Sequence, residues 1–185
     1  MNIETKTTRN GCERLADAAT SLLGQCTQLV RSLPHGVYSG PSRVLPGGTI
    51  GKHLRHVLDH YTAALAGLAT DRVVDYDHRE RNVPMETDPV AGLAAIAELC
   101  GELSQVRGKN NATSLVIRVM ISASGETQEL ATTLGRELAF ATHHGVHHVA
   151  MMRAIACEHG VLLNEDMGKA PSTLNNEAVC AARHG

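Results

Sequence analysis

Seven of the eleven histidines fall in two tight clusters, and their spacing is that of metal ligands. Four of them, His143, His144, His147 and His148, crowd the middle of LGRELAFATHHGVHHVAMMRAIACEHG, residues 134–160. The other three, His53, His56 and His60, lie in TIGKHLRHVLDHYTAALAGLAT. Neutral imidazole is the commonest protein ligand for a transition metal. A helix turns by about 100° per residue, so residues four apart stand one turn apart on one face. With His144 taken as zero, Leu134, Phe140, Ala141, Met151, Met152 and Ile155 fall within roughly 80° of it. His148 lies about 40° away, in the same apolar stripe, while His143 and His147 sit nearer its edge. His144 and His148 are therefore the inward pair of the later stretch, placed as two ligands to one ion need to be. In the earlier stretch the three histidines share a face beside the apolar stripe, and the wheel leaves open which of them turns inward.

Other polar groups near these histidines have types suited to catalysis. Glu137 shares the His144 face two turns earlier, and Asp59 and His60 lie beside His56. All three suit general acid–base or supporting roles around a metal. Arg79 and Arg81 are suited to holding an anionic substrate, because guanidinium forks match carboxylates. Arg136 and Glu137 can instead pair with each other and close the preceding strands onto the helix.

Long helices must position these groups. The last starts after Thr133, a good N-cap, and stops at Gly160. The histidine helix before it starts at Thr49 and runs to about Thr70, on Ile50, Leu54, Val57, Leu58, Tyr61, Leu65 and Leu68. A first helix spans about residues 11–33, ended by Pro34, and a third about 89–107, with Asp88 as cap and Pro89 at the first helical position. Between the second and third, residues 71–89 read as a charged, non-periodic loop that roofs the site. SLVIRVMIS alternates in the strand manner and TQELAT returns, which predicts a short β-hairpin before the last helix. The expected fold is therefore all-α, a four-helix bundle with that small hairpin inserted. Residues 1–174 are expected to form one domain and 175–185 a disordered tail.

Composition supports this outline. Aromatics make up only 2% of the 185 residues, with no Trp, so an aliphatic helical core is favoured over a β-sandwich. A net charge of −2 gives no reason to expect a nucleic-acid or membrane surface. No apolar run reaches the roughly 20 residues of a membrane span, and MNIETKTTRNG has no signal-peptide core. Five scattered cysteines, Cys12, Cys26, Cys100, Cys157 and Cys180, read as reduced thiols of a cytoplasmic protein.

Three segments together resemble the DinB/YfiT-like superfamily of metalloenzymes: TIGKHLRHVLDHY, VVDYDHRERNVPMETDP and LGRELAFATHHGVHHVAMMRAI. A later MGKAPSTL is similar to a segment of one subgroup. The resemblance implies a DinB-like four-helix bundle with a divalent zinc, nickel or iron ion on three histidines. By that resemblance the ligand of the second helix falls on His56, with His53 and His60 as alternatives, and the others fall on His144 and His148. It further implies a metal-dependent hydrolase, or a transferase or isomerase that uses a low-molecular-weight thiol, acting on a small-molecule substrate, with a homodimer as the assembly considered. The competing expectation is a non-catalytic metal-binding or interaction module. Three ligands leave a coordination position open, which favours the enzyme; a closed site favours the module.

Overall fold

The computed structural model describes residues 11–69, 73–78, 80 and 82–184. Helix α1 (Glu13–Arg31) is followed by α2 (Ile50–Ala69), strand β1 (Val73–Asp75), a 3-10 turn at Pro84–Glu86 and α3 (Pro89–Gln105). Strands β2 (Ser114–Met120) and β3 (Thr127–Thr133) lead directly into the long helix α4 (Leu134–Glu158), and α5 (Pro171–His184) ends the described chain. Local chemistry sets several of these boundaries. The Thr49 hydroxyl accepts from the Lys52 amide, the Asp88 carboxylate from Val90, and the Thr133 hydroxyl from Arg136. Gly160 adopts φ 77, the left-handed geometry that stops α4 and lets the Val161 amide return to the Ala156 carbonyl.

The histidine helices α2 and α4 pack along each other, and α1 and α3 cover their apolar sides. Leu22, Leu23, Leu29, Leu54, Val57, Leu103, Leu138, Met152 and Ile155 fill the space between, all buried. Gly145, beside His144, admits the Leu22 side chain where a Cβ would stand, so α1 approaches α4 closely at the histidine turn.

The chain is not the all-α four-helix bundle expected from the sequence. Among the described residues, five helices are accompanied by a three-stranded mixed sheet in the order β1–β2–β3, which makes the fold mixed α/β. β2 and β3 pair antiparallel from Ser114↔Thr133 to Met120↔Thr127. β1 adds in parallel, Val74 against Ile117. Part of the segment expected to be a bare loop is thus a sheet strand with Val74 fully buried. Three residues are too few to show a period, and their partner lies some forty positions away, so no local pattern signals the strand. The second departure is α5, which crosses residues 174 and 175 where a tail was expected to begin and leaves most of its residues exposed. Among the described residues no helix is long and apolar enough to cross a membrane.

Candidate metal centre

The wide α2–α4 contact brings the two histidine stretches face to face. Nε2 of His144 lies 2.9 Å from Nε2 of His56 and 3.1 Å from Nε2 of His148. A neutral ring nitrogen carries either one proton or one in-plane lone pair. His144 Nε2 therefore cannot donate along one of these lines while accepting along the other. A shared cation fits the geometry better. At metal–nitrogen distances of about 2.0–2.1 Å, ligand nitrogens stand about 2.9 Å apart in an octahedron and about 3.3 Å apart in a tetrahedron.

His60 forms a second, looser group with His56 and His144. One ring nitrogen from each of His56, His60 and His144 lies within 4.8 Å of the others. His60 Nδ1 is 2.8 Å from the His56 carbonyl, so its proton sits there and Nε2 carries the lone pair that a metal takes. His148 joins the same row of rings and continues it, with Nδ1 3.0 Å from Nδ1 of His53. Of the remaining pair on α4, His143 and His147 are both exposed.

The electrostatics keep His148, His144 and His53 neutral. Burial, reinforced by repulsion from His56, His144, His53 and His147, lowers the His148 pKa to about 3. Burial first and the neighbouring histidines second also lower His144, and burial with His147 lowers His53. Neutral imidazole is the form that binds metal, so the packing prepares the rings as ligands.

Aromatic rings hold this cluster from the outside. Tyr76, just past β1, stacks on His60 with centroids 4.8 Å apart and planes 19° apart. Phe140 stacks on His144 at 5.6 Å and 15°. The sequence alone did not single out either ring for the site. The signal available was the rarity of aromatics: the chain has only four, three Tyr and one Phe, and two of them are here.

The residues expected to act in catalysis are dispersed. Glu137 is 0% exposed. Its carboxylate accepts from Tyr76 Oη at 2.5 Å, Thr132 Oγ1 at 2.5 Å and Arg136 Nη1 at 2.8 Å. It is enclosed by donors and ties β3 and the segment after β1 to α4. Burial, and then the adjacent Glu137 carboxylate, push the Tyr76 hydroxyl far above its ordinary range, which keeps it a donor. Asp59 pairs with Arg55: its Oδ2 lies 3.3 Å from Nε of that buried residue, which also pairs with Glu86. His60 lies in the cluster itself, as a ligand candidate. Arg79 and Arg81 lie outside the described residues.

Two cavities flank the centre without opening onto it. The larger, about 560 Å³, lies between α2, α3 and β1 and is lined by Arg55, Asp59, Tyr76, Met85, Glu98 and Leu99 among others. The smaller, about 310 Å³, lies between the sheet and the start of α4 and is lined by Ile117, Leu130, Arg136 and Phe140 among others. No histidine of the cluster lines either one.

No family model matches the chain, and no solved structure does. A curated protein of Rhizopus delemar named FK506-binding protein 5 is 34% identical to it over 105 residues. The match covers 56% of this chain and 27% of that protein, so the chain spans about a quarter of the length of the relative it matches. This finding corrects the expected function. That protein is named for binding FK506, and the match gives no support to a DinB-like metalloenzyme acting as hydrolase or transferase.

Proposed function

We propose that the chain is a binding domain built around a divalent metal, with His56, His60 and His144 as the ligands and His148 adjoining them. The observation that carries this reading is the grouping of one ring nitrogen each from His56, His60 and His144 within 4.8 Å of one another, with Nε2 of His144 2.9 Å from Nε2 of His56. An all-imidazole set suits zinc, nickel or iron. The three segments that resemble the DinB/YfiT-like superfamily support a metal on α2 and α4 and carry nothing about a reaction. Zinc, nickel or iron binding leaves coordination positions for an outside ligand, and a small thiol or another anion is the ligand class that fits them. Cys12, Cys26, Cys100 and Cys157 are free thiols, which fits a reducing compartment and supports a cytoplasmic location. Metal analysis of protein purified without a histidine tag tests the reading. One divalent ion per chain, removed by a chelator and restored by adding metal, is expected; a chain that takes up no divalent metal would refute it.

The relative's name supports a second reading, in which the domain binds a ligand of the FK506 kind. The cavity of about 560 Å³ between α2, α3 and β1 is of ligand size. Addition of FK506 then raises the melting temperature of the chain, and Leu99→Trp, which fills the cavity, removes that shift. An unchanged melting temperature at saturating FK506 sets this reading aside and leaves the metal reading standing.

A further inference from the structure

Four rings form a continuous stack around the proposed ion: Tyr76 on His60, His60 beside His144 at 4.4 Å, and Phe140 on His144. Both outer rings are tethered by neighbouring residues of α4. Glu137 accepts the Tyr76 hydroxyl, and the Arg136 guanidinium stands 4.9 Å above the Phe140 ring. Arg136 and Glu137 are themselves joined at 2.8 Å. We infer that Tyr76 and Phe140 are the positioning residues of the histidine centre, and that the Arg136–Glu137 pair sets both, coupling metal binding to the docking of residues 73–78 on α4.

Three observations carry the inference, which rests on the proposed metal reading. First, the core is aliphatic, yet two of only four aromatic side chains lie against two histidines of the convergent trio. Second, Glu137 is a fully enclosed acid. An apolar side chain of the same volume would serve stability as well or better, because a buried charge must first be desolvated. What the acid adds is direction: it fixes where the Tyr76 hydroxyl points and so where its ring lies. Third, Tyr76 follows a strand of only three residues, which leaves its ring to be set by tertiary contacts. The Asp75 carboxylate caps the turn there, accepting from the Asp77 amide at 3.0 Å and the His78 amide at 3.1 Å, and so presents Tyr76 toward α4.

Ligand rings bind well when their orientation is fixed before the ion arrives, and loss of an orienting partner lowers metal affinity about 10–100-fold. The coupling is reciprocal: what tightens the ion at His60 tightens residues 73–78 onto α4 by the same factor.

The test compares wild type with Tyr76→Ala, Tyr76→Phe and Glu137→Gln. Metal affinity is read by chelator competition, the visible spectrum of the cobalt-loaded protein reports ligand geometry, and circular dichroism without metal checks the fold. Tyr76→Ala is expected to lose about 10–100-fold in affinity and to change the cobalt spectrum. Tyr76→Phe keeps the ring and restores most of the affinity, within about fivefold of wild type, the effect of one hydrogen bond. Glu137→Gln should match Tyr76→Phe. In wild type, metal should slow amide exchange across residues 73–78. Wild type that binds metal, with Tyr76→Ala equal to it in affinity and spectrum, overturns the inference and leaves the metal reading intact. Wild type that binds no metal overturns both. If Tyr76→Ala does not fold, Tyr76→Phe decides: unchanged affinity together with metal-independent exchange across 73–78 overturns the coupling.

Discussion

Burial holds His148, His144 and His53 in the neutral form, and that has a consequence for acid stability. The folded chain holds the His148 pKa at about 3 and lowers those of His144 and His53, while in the unfolded chain they return to about 6.5. Between those limits the unfolded state binds protons that the folded state refuses, so stability rises with pH across this window. Urea unfolding of the metal-free protein should show stability falling steadily as pH drops from about 6.5. His148→Gln should flatten that slope, and a slope unaffected by the substitution would show that other groups cause it. At this scale the sequence revealed direction and little else. A helical wheel places His144 and His148 toward the core because their neighbours are apolar. It cannot show ring rotation, which decides that His60 gives its Nδ1 proton to the His56 carbonyl. Nor can it show that Glu137 faces Tyr76, a residue sixty-one positions earlier.

Elements were legible where a period and a cap coincide. α3 begins where Asp88 and Pro89 predict, and α4 lies between Thr133 and Gly160. β1 was not legible, because its strand partner is a parallel one distant in sequence. The sheet matters to the site all the same, since β1 delivers Tyr76 and β3 delivers Thr132 to Glu137. A second junction, between α2 and the Pro84–Glu86 turn, depends on Gly51. A Cβ there would land on the Glu86 carbonyl, backbone that cannot step aside as a side-chain tip can. Gly51→Ala should therefore destabilise the chain by about 1–3 kcal/mol, although alanine favours a helix interior. Thermal unfolding checks this, and a variant as stable as wild type would show that the turn yields freely.

At the scale of the whole molecule, the histidines of two helices are brought together by folding, so an ion that binds them must stabilise the fold. Metal at about one hundred times its dissociation constant should add about 2.7 kcal/mol and make the melting temperature depend on metal concentration. The centre is flanked by cavities that do not open onto it, and ion binding is what the proposed reading puts to measurement. The most direct measurement is cobalt affinity, with the visible spectrum, for His56→Ala, His60→Ala, His144→Ala and His143→Ala. The first three should each lose binding, while His143→Ala, which changes an exposed ring, should bind and absorb as wild type does. Equal losses from all four substitutions, or no loss from the three inner ones, would contradict a centre built on His56, His60 and His144.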